Sequence, residues 1–349
     1  MNLISGNSIN ALPWKAELNI SIICPVFNSD PALLQQATHS AITACEAAGV
    51  SAELILVDDG STNPNTREAL RMIGEGGNHV RIIRHEGNLG PASARNLGLA
   101  AASGTWIGFL DADDLWLPDR MAACHELMQR PDVSWIGGRH CTLEADGTMR
   151  PGNGLHEALH SAPAAKLSGR ALTFALLANF WMHLGATLVR RDLARRIGGF
   201  REGLYYYEDF LFLARLSVVA PLHLVDAEVY AWRQGDRGLT ASPHRLASAS
   251  LQMFRQAARD PLLADYRREL RWARYSATKG LALNNLLAQR RWQALRLAFE
   301  AWRIDPREIG DFWRFVGLCA QGAETSAERG ERYSRAQRFA LRGQDPTSD

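Results

Sequence analysis

Residues 19–130 alternate short apolar runs with stretches of helical character, and this alternation leaves few folds open. The runs are 19–27, 52–59, 79–86 and 105–110. Asp30 followed by Pro31 predicts a helix start, and Gly49 a stop. Residues 66–73 form the next helical stretch. Pro91 opens an alanine-rich helix that Gly104 closes, and another helix follows Pro118 and ends near Arg130-Pro131. Apolar strands separated by helices predict a mostly parallel central sheet flanked by helices, an α/β domain of Rossmann-like type. Such sheets place ligands beyond the carboxyl ends of their strands. Two acidic pairs should therefore open on one edge: Asp58 with Asp59, and Asp111 with Asp113.

After residue 130 the pattern changes. Residues 133–150 read as a hairpin turning at Asp146-Gly147. Residues 187–200 read as a strand running into a helix, 223–232 as a strand, and the chain from about 243 onward as helices. The expected organisation is a domain at 1–240, divided into halves at about 19–130 and 131–240, and a C-terminal helical region at 241–349. No internal repeat is visible.

Net charge is +2, which makes no case for a nucleic-acid partner. Its distribution is uneven: residues 251–349 carry 18 Lys/Arg against 12 Asp/Glu, and the rest is slightly acidic. A solvated helical surface explains this, with contact to an anionic surface as the sharper reading. Trp272, Trp292, Trp302 and Trp313 recur in amphipathic helices and are read as core residues. The five cysteines are scattered without a CxxC pair, which fits a reducing compartment and gives no zinc signal. The N-terminus does not read as a secretory signal, and the apolar stretch 172–189, interrupted by Asn179, His183 and Gly185, reads as buried core. The final seven residues are expected to fray.

Residues i and i+2 of an extended segment share a side, so Asp111 and Asp113 would repel one another without a cation. Mg²⁺ or Mn²⁺ bridging carboxylates to a phosphate would relieve that repulsion. On spacing alone, capping of the following helix fits equally well. Asp58-Asp59 has the same ambiguity, because Asp-Gly-Ser is ordinary turn chemistry. Glu208-Asp209 reads either as two acids at a helix N-terminus or as a general base at the mouth of a cleft.

Five stretches in order, "SIICPVFNS", "ELILVDDGST", "GNLGPASARNLGLAAASGTWIGFLDADD", "GGFRE" and "YYYEDFLFLARL", resemble the family 2 glycosyltransferases of GT-A fold over about residues 19–216. The resemblance implies an inverting transfer of one sugar from a nucleotide-sugar donor, UDP-linked above others, to a saccharide or lipid-linked saccharide. The setting it suggests is surface-polysaccharide or glycolipid synthesis. It places Pro25, Phe27 and Asn28 at the nucleotide, with Asp58 or Asp59 on base or ribose and Arg95 at the base. Asp111 would meet ribose and metal, and Asp113 would ligate Mg²⁺ or Mn²⁺. Asp209 would be the catalytic base and Glu208 would place the acceptor. A cytoplasmic protein is expected; the basic C-terminal helices are left to complete the acceptor site, to pair two subunits as a homodimer or to rest peripherally on a membrane.

Residues 230–240, "YAWRQGDRGLT", depart from the family. Gln234 or Arg237 stands where many non-processive relatives have histidine, and Gly238 replaces the tryptophan of the processive motif. Single-sugar transfer is therefore expected, with Arg233 or Arg237 as a phosphate contact. A nucleotidyltransferase is disfavoured because "CPVFNS" is no phosphate-binding Gly-rich loop. A sugar-nucleotide-binding pseudoenzyme is disfavoured by the presence of Asp111, Asp113 and Asp209.

Overall fold

A computed structural model describes residues 19–76, 79–152, 166–177, 182–234 and 243–321. The first half builds the expected strand–helix alternation: β1 (Asn19–Val26), α1 (Pro31–Ala47), β2 (Ser51–Asp58), α2 (Pro64–Glu75), β3 (Val80–Arg84), α3 (Pro91–Ala101) and β4 (Trp106–Phe109). The start of α1 is set by Asp30, whose carboxylate accepts from the N–H groups of Ala32 and Leu33 at 2.9 and 3.2 Å. Short β5 (Leu115–Trp116) leads into α4 (Arg120–Gln129). The hairpin expected at 133–150 is β6 (Trp135–Leu143) with β7 (Met149–Pro151), paired antiparallel. The chain continues through β8 (Lys166–Leu167), α5 (Gly169–Leu177), β9 (Thr187–Arg190), α6 (Arg191–Arg196), α7 (Glu208–Val219) and β10 (Leu222–Arg233).

One sheet gathers all ten strands, in the order β3-β2-β1-β4-β9-β6-β10-β5 with β7 and β8 at its margins. The β3-β2-β1-β4 half is parallel throughout. Beyond β4 the sheet is mixed: β9 runs antiparallel to both β4 and β6, while β10 is parallel to β6.

The period of two along β1 splits the core. Ile22, Cys24 and Val26 face α1 and α4, packing with Leu34, Ala37, Ala41 and Met121. Ile23 faces the other way, toward a cluster that includes Leu99, Phe109, Phe200 and Phe212. Phe200 and Phe212 stack at 4.1 Å between ring centroids, with Phe109 edge-on to both. Leu172, Leu176, Leu177 and Leu184 are buried, as expected for the apolar stretch there; Asn179 lies outside the described residues. Cys24, Cys45, Cys124 and Cys141 are buried free thiols.

The helical region comprises α8 (Pro243–Ala257), α9 (Arg267–Leu287), α10 (Arg291–Ile304) and α11 (Ile309–Gln321). Its first part shares a core with the sheet domain. Met253, Phe254, Leu263 and Leu270 pack with Leu204, Phe210 and Leu211. A separate cluster of Ala282, Leu286, Ala294, Ala298 and Phe315 joins α9, α10 and α11. Trp272 and Trp302 are partly buried, but Trp292 is 86% exposed and Trp313 63%. The reading of all four tryptophans as core is therefore corrected for two. Helical periodicity shows that a helix has an apolar stripe, but not how much of that stripe its neighbours cover. No helix among the described residues is long and apolar enough to cross a membrane. Arg237, Gly238 and the C-terminal tail lie outside the described residues.

Candidate active site

Strands β1, β2 and β4 end side by side, and the loops that follow are tied by side chains. Asn28, with φ of 49°, accepts through Oδ1 from the N–H groups of Thr62 and Asn63, both at 2.8 Å. Asp58 is buried; it accepts from Ser61 N–H at 2.8 Å and pairs with Arg84 at 3.2 Å. Asp59, also buried, accepts from Leu89 N–H at 3.0 Å and Gly90 N–H at 2.8 Å, with His85 Nδ1 at 2.8 Å. Gly90 takes φ of +90°, which a side chain would resist, and this turns its N–H onto Asp59 just before α3. Phe27 leaves its ring 45% exposed at the end of β1, next in sequence to Asn28.

The end of β4 differs from the extended geometry expected of it. The strand stops at Phe109, and Asp114 N–H bonds the Asp111 carbonyl at 3.2 Å, so 111–114 is a turn. A turn breaks the rule that i and i+2 share a side. The cluster formed among the described residues is Asp111, Asp114 and His183, whose ligand atoms lie within 4.8 Å of one another. Asp114 is nevertheless occupied. Its Oδ2 accepts from the Tyr230 hydroxyl at 2.8 Å and its Oδ1 from Arg233 N–H at 2.8 Å. His183 Nδ1 accepts from Gly185 N–H at 3.2 Å. In a neutral imidazole that bond leaves the proton on Nε2, the nitrogen that faces Asp114 at 3.8 Å. Burial holds the ring neutral by pushing its pKa down to about 4. A cation at Nε2 would need the other tautomer and would break the bond from Gly185 N–H. The donors that suit a hard cation are the carboxylates of Asp111, 37% exposed, and Asp113, exposed. Although Asp113 keeps exposed surface, the atoms crowded around its carboxyl raise its pKa, and so does the Asp111 charge; a cation would relieve the like-charge part.

Glu208 and Asp209 open α7, where the helix dipole favours negative charge. Tyr207, in the left-handed region with φ of 62°, turns the chain into that helix. Asp209 accepts from Phe210 N–H at 2.7 Å, and burial raises its pKa. Burial and the neighbouring Asp209 push Glu208 up to about 7.

Arg95 joins these parts. From α3 its two terminal nitrogens reach Glu208 at 2.5 Å and Asp111 at 2.7 Å, with the guanidinium 5.7 Å from the Phe200 ring. Burial opposes its charge, yet Asp111 and Glu208 keep its pKa raised. The residue expected at the base thus stands, in this structure, between the β4 turn and α7. Arg233 is also brought in: its Nε donates to the Asp113 carbonyl at 2.8 Å. Sequence reasoning missed the anchoring role of Asp114, and with it Tyr230 and His183. Their only signal was a polar side chain in an otherwise apolar segment.

Residues 21–193 match the family model described as "Glycosyl transferase family 2". Among curated relatives, an uncharacterised protein y4gI of Sinorhizobium fredii is 29% identical over 247 residues, covering 70% of this chain and 25% of that protein. The glycosyltransferase GlyG of Streptococcus pneumoniae is 30% identical over 131 residues, 37% of this chain and 42% of its own length. The chain thus spans a quarter to less than half of these relatives. Among solved structures, S. aureus TarS 1–349 superposes with a TM-score of 0.59 at 17% identity, covering 84% of this chain and 83% of that one. That likeness establishes a GT-A-like fold. With the ordered motifs, the matched stretch and the fold in agreement, the chain belongs to glycosyl transferase family 2.

Proposed function

We propose that this chain transfers one sugar, with inversion, from a nucleoside-diphosphate sugar to an acceptor hydroxyl. The observation that carries the reading is the Arg95 bridge, which holds a metal-suited acidic turn and the acidic start of α7 in one place. A donor lying along the strand ends would meet Pro25, Phe27 and Asn28, with Asp58 or Asp59 toward base or ribose. Arg95 would reach the base only by giving up a carboxylate; otherwise it acts as the brace between Asp111 and Glu208. UDP is the favoured nucleotide, supported by the TarS structure in complex with UDP-GlcNAc. Relatives named for teichuronic acid, succinoglycan and O-antigen biosynthesis support a surface-polysaccharide acceptor. A cytoplasmic setting, where such donors are made, belongs to the same proposal.

Asp111 and Asp113 would hold Mg²⁺ or Mn²⁺. When bound, the cation supplies positive charge for the diphosphate leaving group. The chain's own part is proton transfer and placement. Asp209, its pKa raised by burial, takes the proton from the attacking hydroxyl. Glu208, fixed by Arg95, orients that hydroxyl.

Asp209→Asn tests the assignment. Transfer should fall about 10²–10⁴-fold, the usual contribution of a positioned base, while calorimetry with UDP and Mn²⁺ shows unchanged donor binding. Wild-type transfer by that variant would refute Asp209 as base. Donor hydrolysis without transfer to any acceptor in a panel would refute the transferase reading.

A further inference from the structure

We infer that the outer face of α10 and α11 is a docking surface for an anionic lipid bilayer. The inference is independent of the catalytic assignments. At about 100° per residue, Trp292, Arg296, Phe299 and Arg303 fall within roughly 60° of one another on α10. Ala294, Ala298 and Ala301, the buried residues of that helix, lie on the opposite side. The aromatic rings therefore stand where a surface helix normally puts charged residues. Trp292 is 86% exposed and Phe299 47%. The ridge runs on into α11: Phe299 meets Phe312 at 6.1 Å and Phe312 meets Trp313 at 5.4 Å, with Trp313 63% and Ile309 41% exposed.

Charge selects the occupant. Between residues 290 and 314 six arginines are exposed, whereas Glu308 is the one exposed acid there. Glu300 and Asp311 are partly covered and Asp305 is buried, all three facing basic partners. Arg296 and Arg303 have no acidic partner within salt-bridge distance among the described residues. Tryptophan and phenylalanine interleaved with arginine suit a headgroup layer. The rings sit at the acyl boundary, and each guanidinium reaches a lipid phosphate. A protein partner of acidic surface would also engage tryptophan and arginine, and binding to vesicles distinguishes the two occupants. A face of this kind lies on a membrane rather than crossing it.

The test is co-sedimentation of the full chain with phosphatidylcholine vesicles, with and without phosphatidylglycerol. Wild type should pellet with the anionic vesicles and stay in solution with the neutral ones. Arg296→Glu with Arg303→Glu should weaken that binding at least about thirtyfold, from roughly a factor of five per arginine near an anionic surface. Trp292→Ala with Trp313→Ala should also abolish pelleting, with circular dichroism and melting temperature unchanged because both side chains project into solvent. Wild type remaining in solution with both vesicle types would overturn the proposal. So would equal pelleting by wild type and both variants. A concentration-dependent dimer in light scattering that the tryptophan variant dissolves would assign the face to a second copy instead.

Discussion

Arg95→Met removes one side chain and leaves two carboxylates behind in unequal positions. Asp111 is 37% exposed and can turn to water, whereas Glu208 is 6% exposed and has Asp209 beside it. The penalty therefore concentrates on Glu208. Breaking a buried pair by removing one partner costs about 3–5 kcal/mol. Protonation of Glu208 offers an escape, and the folded-state carboxyl already titrates at about 7 with Arg95 in place. A folded pKa raised above the unfolded one gives stability that is present below the unfolded value and lost as pH rises through the folded one. Without Arg95 the folded pKa climbs further, so the variant keeps losing stability above pH 7, where the wild type has levelled off. Urea unfolding should show a difference of about 3–5 kcal/mol at about pH 8.5, shrinking to about 1–2 kcal/mol near pH 5. Adding Glu208→Gln to the variant should recover most of the high-pH loss. An equal penalty at both pH values, or no recovery in the double variant, would refute the inference that Arg95 offsets the buried charge of Glu208.

Asp113→Asn and Asp114→Asn should separate. The first should raise the Mn²⁺ concentration needed for half-maximal transfer with an unchanged melting temperature. The second disturbs the bonds to Tyr230 and Arg233 and should lower stability by about 1–3 kcal/mol in urea. Transfer should decline on the acid side in a limb above the ordinary carboxylate range, since burial raises Asp209 and the base works ionised; Asp209→Asn should remove that limb from the rate–pH profile. Gly185→Ala would set a methyl group 2.2 Å from the Tyr230 ring, and should cost several kcal/mol in thermal unfolding, on the order of 1–3 or more.

The sequence announced the first half of this fold because that half is built from local rules. Asp30 and Pro31 start a helix by their own chemistry, and the apolar runs of β1 and β2 are long enough to stand out. The mixed half was harder to foresee. The pairing of β9 between β4 and β6 depends on contacts across dozens of residues that no periodicity encodes. The site divides in the same way. Asp111, Glu208 and Asp209 could be singled out because acids beside apolar runs are conspicuous. Their link through Arg95 was invisible, because helix α3 and the start of α7 become neighbours only in three dimensions. The turn at 111–114 closes on its own Asp114 N–H bond but is also held by distant tethers at Tyr230 and Arg233, which no local pattern announces.

Those tethers bear on the order in which the molecule comes together. Asp114 is held by residues 116 and 119 positions downstream, and Glu208 lies 113 positions from Arg95. Closing loops of that length is slow and entropically costly, so contacts of this kind form late. During synthesis the strands of the parallel half emerge well before their acidic turn acquires partners. A nascent chain ending short of β10 would carry Asp111, Asp113 and Asp114 without the backbone N–H of Arg233 or the hydroxyl of Tyr230 to fix the turn. The last strand of the sheet thus acts as a completion signal: the turn that carries Asp111, Asp113 and Asp114 lacks its tethers until β10 has been made.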